Sequence, residues 1–160
     1  MTVDIADLPY RPCVGVIVLN ADGHVLTGQR IDTQGDAWQM PQGGVEKGEE
    51  PYRAALREMR EETGLTEDKV AFLRATEDWV TYDLPADLVG KLWKGRYRGQ
   101  KQLWFAFRFL GTDADVNIAT PEPEFRAWRW ATPTQVINDI VPFKRDLYAD
   151  LMDQFADLFD

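Results

Sequence analysis

Residues 43–65 read GGVEKGEEPYRAALREMREETGL, a glycine-rich loop running into a helix whose charges stand at the wrong end. Pro51 suits a first helical position and Gly64 suits a left-handed cap, so the spacing predicts a helix over about 51–63. Glu58, Glu61 and Glu62 crowd its last turns, where the backbone dipole is already negative. Glu58 and Glu62 are four residues apart, a like-charge spacing that costs about 0.2–0.5 kcal/mol in an isolated helix. At about 100° per residue, Tyr52, Ala55, Leu56 and Met59 share a face expected to pack on a sheet. Arg53, Arg57 and Arg60 share a second face, and the three glutamates a third. Arg57 is spaced to offset Glu61 at i,i+4, which leaves the other acids uncompensated. A solvated charged face is the plain alternative. Three features weigh against it: the acids are segregated from the bases, they sit at the disfavoured end, and the loop adds Glu49. Converging carboxylates without imidazole or thiolate form a hard oxygen site suited to Mg²⁺ or Mn²⁺. A divalent ion would turn their repulsion into coordination.

Upstream, CVGVIVLN (13–20) and HVLTGQR (24–30) are two β-rich runs, and Asp22-Gly23 between them suits a tight hairpin turn. A short strand is expected at Trp38–Met40 within the Gly/Pro-punctuated loop. Downstream, strand-like runs lie near 69–83, 102–110 and 126–131. TPTQVIND (132–139) reads as a short helix and 142–159 as a longer amphipathic one. Strands interleaved with few helices indicate a mixed α/β or α+β sandwich. The 160 residues fit one domain spanning 1–160, with a short N-terminal tail over about 1–8.

Composition narrows the chemistry. Cys13 is the one cysteine, so internal disulfides and thiolate metal cages are excluded, and the cysteine itself reads as a small buried residue. His24 is the one histidine and follows a turn, which excludes sites built from several imidazoles. No apolar run approaches the roughly 20 residues of a membrane span, and the N-terminus lacks a signal-peptide pattern. A cytoplasmic location is the expectation. A net charge of −9 argues against broad coating of nucleic acid, DNA included. A local basic site remains compatible with it. Lys91, Lys94, Arg96, Arg98 and Lys101 interleave with Trp93 and Tyr97, cations for a phosphate chain and aromatics for bases.

The stretch 43–65 resembles the signature box of the Nudix hydrolases, G-x5-E-x7-R-E-U-x-E-E-x-G-U with U aliphatic. Gly43, Glu49, Arg57, Glu58, Met59, Glu61, Glu62, Gly64 and Leu65 carry every fixed position. The resemblance implies an α/β/α sandwich with a mixed β-sheet and Mg²⁺-dependent hydrolysis of a nucleoside diphosphate linked to another group. It also implies that Glu58, Glu61 and Glu62 are metal ligands, and that Glu49 pairs with Arg57 to brace the loop–helix junction.

Further segments resemble the bacterial RNA pyrophosphohydrolases and the closely similar asymmetrical dinucleoside tetraphosphate hydrolases: YRPCVGVIVLN (10–20), WQMPQGG (38–44), GQKQLWF (99–105), PEFRAWRW (123–130) and VPFKRDLY (141–148). That likeness runs from about residue 9 to 155. It implies that Glu124 is a further metal ligand or base, and that Val141, Phe143 and Lys144 form a pocket for the second base of RNA. It also implies that Arg30 stacks on a base and that Arg11, Tyr82 and Lys101 surround the phosphates. Pro142 departs from the small polar residue of the RNA enzymes and removes a backbone N–H. The segment LPADLVGKLWKGRYRGQ (84–100) is similar to the plant tetraphosphate hydrolases. The expected activity is removal of pyrophosphate from the 5′-triphosphate end of RNA, with Glu58 and then Glu124 as candidate bases. The runner-up is asymmetrical hydrolysis of diadenosine tetraphosphate to ATP and AMP. A different class, a non-catalytic nucleotide-binding module on the same fold, has no need of the full acidic cluster present here.

Overall fold

The computed structural model describes residues 4–32 and 35–159; residues 1–3 of the expected N-terminal tail lie outside the described residues. The strands are β1 (Tyr10–Leu19), β2 (Val25–Arg30), β3 (Gln42–Gly44), β4 (Val70–Ala75), β5 (Val80–Asp83), β6 (Gly99–Phe109) and β7 (Phe125–Ala131). The helices are α1 (Pro51–Thr63), α2 (Pro133–Asp139) and α3 (Arg145–Gln154). The strands form one sheet in the order β4-β6-β1-β2-β7, with β3 added beside β1 and β5 beside β6. β1 and β6 run parallel from Tyr10↔Gly99 to Leu19↔Arg108, and the other pairings are antiparallel. The sheet is therefore mixed, as expected.

β1 has to be apolar on both faces because it lies inside the sheet with helices above and below. Val14, Val16 and Val18 join Ala54, Ala55 and Met59 of α1 in one core layer. Ile17 and Leu19 join Val136 of α2 and Leu147, Tyr148 and Leu151 of α3 in the other. Along β6, Phe105 and Phe107 face α1, whereas Trp104 and Ala106 face α3. This alternation divides the functional side chains between two faces.

Several boundaries differ from the sequence reading. The β1–β2 connection is wider than a two-residue turn: Asn20 N donates to the His24 carbonyl, and Asn20 Oδ1 accepts from Asp22 N and His24 N at 3.0 Å each. At Trp38–Met40 there is only an isolated bridge, Gly28↔Gln39, and the strand of this loop is Gln42–Gly44. Pro41 has no N–H for a ladder but lends its carbonyl to Val16 N at 2.9 Å, and pairing with β1 begins just after it. The predicted helix 142–159 is broken into a 3-10 turn at Pro142–Lys144, α3, and a second turn at Ala156–Leu158. Arg74 stops α3 by donating to the Gln154 carbonyl at 2.9 Å while gripping Asp157 at 2.7 and 2.9 Å. The tail is pinned where it is described, because Arg98 Nη1 donates to the Ala6 carbonyl at 3.3 Å.

Candidate functional site

α1 forms over the predicted span and ends at Gly64, whose φ of 75° requires glycine and whose N–H caps the Arg60 carbonyl at 2.9 Å. The loop before it is drawn onto the helix by one guanidinium. Arg57 Nε and Nη2 donate to the two oxygens of Glu49, both at 2.9 Å, and Nη2 also reaches the Gly44 carbonyl at 2.9 Å. Glu49 Oε1 in turn accepts from Glu46 N at 3.0 Å. Fork-to-carboxylate pairing of this kind fixes orientation as well as charge. Arg57 holds the Glu49 carboxyl below its ordinary range, and Glu49 pushes the guanidinium up.

The same guanidinium reaches Glu58 at 2.8 Å and Glu61 at 3.3 Å through Nη1. The separation into an acidic and a basic face therefore fails at Arg57. Its long side chain bends out of the arginine stripe into the glutamates, while Arg53 remains outside and pairs with Glu67 at 3.4 Å. The buried stripe is also wider than predicted, taking in Ala54, Glu62 and Thr63 beside Ala55 and Met59. Glu62 is 3% exposed and accepts from Gln42 N of β3 at 2.9 Å. Gly43, the next residue, lies so close to the Glu58 carboxylate that a Cβ there would overlap it. A strand lacking that side chain lets β3 lie directly over the acids.

Glu58, Glu62 and Glu124 feel one another. Burial, opposed by Arg57 and aided by Glu61 and Glu124, pushes the Glu58 carboxyl up to about 6. Burial and then the Glu58 and Glu124 charges push Glu62 well above the usual carboxylate range. Glu124 immediately precedes β7, half-exposed, 4.0 Å from Arg30 Nη2. Its backbone carbonyl accepts from Ile31 N at 2.9 Å. The compact metal cage expected from sequence is not preformed: among the described residues no three His, Cys, Asp or Glu side chains are grouped closely enough to hold an ion. Arg57 draws Glu58 and Glu61 to itself, and the Gln42 backbone holds Glu62.

The other face of the sheet carries the proposed nucleotide residues. Phe143 lies 6.0 Å from Tyr82, ring centre to ring centre. Lys144 Nζ sits 5.2 Å above the Tyr82 ring and 5.9 Å from that of Phe143. Burial, with the Arg30 charge second, lowers the Lys144 ammonium to about 8. Val141 packs at the edge of this cluster and accepts from Lys144 N at 3.0 Å. Arg11 Nη1 donates to the buried Cys13 thiol at 3.4 Å, and its guanidinium lies 5.6 Å from the Trp93 ring. Burial raises that thiol to about 11, so it stays protonated at neutral pH. The buried Gln42 Oε1 has no partner among the described residues.

Lys101 does not join Arg11 and Tyr82. It belongs to the alternate set of β6, with Leu103 and Phe105, and its ammonium lies 4.8 Å from the half-exposed Trp79 ring. Arg98, another cation of the basic segment, is committed to Asp83 and stacks 4.8 Å from the Tyr10 ring. The structure also adds partners that the sequence reading missed. Asp32 grips Arg30 in a two-pronged pair at 2.5 and 2.7 Å. The i,i+2 spacing at a strand end was the available signal for it. The backbone N–H of Gln42 carries no sequence signal at all.

Comparison with known proteins places this arrangement. The NUDIX domain model matches residues 9–151. The chain is 59% identical over 152 residues to an RNA pyrophosphohydrolase of Roseobacter denitrificans, covering 95% of each protein. It is 51% identical to the RNA pyrophosphohydrolase of Rickettsia rickettsii, covering 95% of this chain and 93% of that one. Among solved structures, the E. coli dihydroneopterin triphosphate pyrophosphohydrolase superposes with a TM-score of 0.70 at 20% identity, covering 91% and 99% of the two chains. A C. elegans Ap4A hydrolase complex gives 0.64 at 18%, covering 90% and 98%. These last two likenesses speak to the fold alone. With the matched model covering most of its length, the chain belongs to the NUDIX domain family.

Proposed function

We propose that this protein removes pyrophosphate from the 5′-triphosphate end of RNA, leaving a 5′-monophosphate. The observation that carries the reading is the 59% identity, over 95% of both chains, to a protein named RNA pyrophosphohydrolase. The likeness to an Ap4A hydrolase at 18% identity does not extend to substrate. The buried, unpaired Cys13 is in keeping with the reducing cytoplasm.

The acids fit a hard divalent cation. Glu58, Glu62 and Glu124 offer only oxygen, and burial first, with the neighbouring acid charges second, raises the carboxyls of Glu58 and Glu62. Glu58 uses only Oε1 and Glu62 only Oε2 in hydrogen bonds among the described residues, which leaves one oxygen of each for a ligand. Glu58, Glu61, Glu62 and Glu124 would hold Mg²⁺, or Mn²⁺ in its place. When bound, the ion supplies positive charge at the phosphate oxygens and helps activate water. The protein does the rest. The Glu49–Arg57 brace sets the distance between β3 and α1. Glu58 accepts a proton from the attacking water, and Glu124 is the second candidate for that role. Arg11 steadies the phosphate chain from the face it shares with Tyr82. Phe143, Lys144 and Val141 seat the second base, Arg30 stacks on a base, and Tyr82 stands beside the phosphates.

Parallel turnover of 5′-triphosphorylated RNA and diadenosine tetraphosphate with Mg²⁺ tests the reading. RNA is expected to release pyrophosphate at the higher kcat/KM. Phe143→Ala is expected to cut that value by at least ~5-fold, the low end for base–aromatic stacking, while sparing the dinucleotide more. Absence of pyrophosphate release from RNA, with ready cleavage of the dinucleotide, would overturn it.

A further inference from the structure

On β6, Gln100, Gln102 and Trp104 follow one another along a single face, and all three are buried. Trp104 Nε1 donates to Gln102 Oε1 at 2.7 Å, and Gln102 Nε2 donates to Gln100 Oε1 at 2.6 Å. A carboxamide can usually be turned over, since one end accepts and the other donates in nearly the same shape. Here it cannot. An indole N–H only donates, so Gln102 must turn its oxygen toward Trp104 and its nitrogen away. That nitrogen also only donates, so Gln100 must turn its oxygen toward Gln102. The end of the chain is the Gln100 NH₂, which has no acceptor among the described residues.

The start of the chain is fixed firmly. The Trp104 ring is fully buried, meets Tyr148 edge-on at 5.9 Å, and lies against Gly15 where a side chain would collide with it. The far end lies among the proposed substrate residues. Gln100 is the register partner of Arg11 on β1 and of Tyr82 on β5. Paired residues of neighbouring strands share a face of the sheet, so an amide donor stands between a guanidinium and a phenol.

We propose that Trp104 and Gln102 are positioning residues that lock Gln100 as a hydrogen-bond donor to the phosphate chain of a 5′-triphosphorylated substrate. The inference rests on the function proposed above. A reversed Gln100 would present a carbonyl oxygen to phosphate oxygens, and two acceptors repel. The buried relay excludes that orientation before substrate arrives, so binding does not have to select it.

The test is a double-mutant cycle read by binding. A 5′-triphosphorylated dinucleotide and the same dinucleotide with a 5′-hydroxyl are titrated in EDTA, where no turnover occurs. The ratio of their affinities isolates the phosphate contact. Gln102→Glu accepts from both Trp104 and Gln100, drawing the Gln100 nitrogen inward and turning its oxygen into the pocket. The ratio is expected to fall at least ~10-fold, the low end for a hydrogen bond to a charged group. In a Gln100→Leu background the same change should alter the ratio by less than ~2-fold, the margin of ordinary additivity. Gln102→Leu adds no charge and removes the lock. It should cost a smaller factor, again only when Gln100 is present, and it carries the cycle if the glutamate variant does not melt as a folded protein. Equal losses with and without Gln100 would mean that residue 102 acts through charge or packing, and would overturn the relay. A wild-type protein that binds both dinucleotides equally would instead overturn the substrate reading.

Discussion

Arg57→Ala removes one guanidinium and strips partners from three carboxylates and a carbonyl at once. The Arg57, Glu49 and Glu58 side chains are 18, 17 and 14% exposed, whereas Glu61 is 49% exposed. Breaking a fully buried ion pair from one side costs about 3–5 kcal/mol, and exposed pairs contribute about 0–1 kcal/mol. The two-pronged Glu49 pair and the Glu58 contact fall nearer the first case, giving about 2–4 kcal/mol in all. For a chain of this length 1 kcal/mol moves Tm by about 2–4 °C, so the expected loss is roughly 4–16 °C. Thermal unfolding followed by circular dichroism in EDTA, near neutral pH, measures it. Arg57→Lys should recover only part of the loss, since one ammonium cannot span the Glu49 fork and the Gly44 carbonyl together. Glu49→Gln combined with Arg57→Ala should cost less than the sum of the single changes. The sign with pH is fixed as well. Glu49 is held below its ordinary 4.5 in the folded protein, so its share of stability is present above 4.5 and disappears as pH falls through the lowered value. The gap between wild type and Arg57→Ala should therefore narrow in acid. An alanine variant melting within ~1 °C of wild type, or a lysine variant indistinguishable from it, would refute the brace.

Other outcomes follow from the same geometry. EDTA should abolish turnover and Mg²⁺ or Mn²⁺ restore it; full activity without a divalent ion would sink the metal assignment. Glu62→Gln should raise the Tm of the metal-free protein at neutral pH, because burial already disfavours its charge and an amide oxygen can still accept from Gln42 N. It should also cut kcat sharply, and a lower metal-free Tm would show that the carboxylate holds the fold. Lys144 is lowered from 10.5 to about 8, so the unfolded chain binds the extra proton between those values and stability should rise across that window. Comparison with Lys144→Met isolates this slope, and equal slopes in the two proteins would refute the burial effect.

The fold was legible wherever a local rule had no competitor. Pro51 and Gly64 bracket α1 in sequence and in space because each suits a backbone position that few residues tolerate. The alternating valines of β1 are legible for the same reason. The strand at Gln42–Gly44 was not, because its three residues carry no β-branched side chain and pair by backbone alone. Helical projection placed Arg57 with Arg53 and Arg60 but within i,i+4 reach of Glu61, and that pair forms, as does the Glu49 pair. The contact to Glu58 was not legible, because a projection follows Cα positions while a long side chain follows its partners. The split between Lys101 and Arg11 could be read only after β6 was registered against β1, a contact between residues about ninety positions apart.

The misplaced charges of α1 are only partly answered by the protein itself. Arg57 supplies one cation for Glu49, Glu58 and Glu61, and a single peptide N–H serves the buried Glu62. Burial first, and the neighbouring acids second, push the carboxyls of Glu58 and Glu62 above their ordinary range. Each unit of such a shift is about 1.4 kcal/mol in favour of the protonated carboxyl. Protonation relieves these acids at higher pH than an ordinary carboxylate, and no histidine or lysine is paired with them among the described residues. A cation from solution would be the other means of relief. The missing side chain of Gly43 lets the Glu58 carboxylate lie directly against β3, and Arg57 ties β3 to α1 through the Gly44 carbonyl. Under the proposed function, a divalent ion held by these acids would supply that relief. For folding alone, a lysine or arginine would suit the half-exposed position 61 at this helix end, and an uncharged side chain the buried position 62.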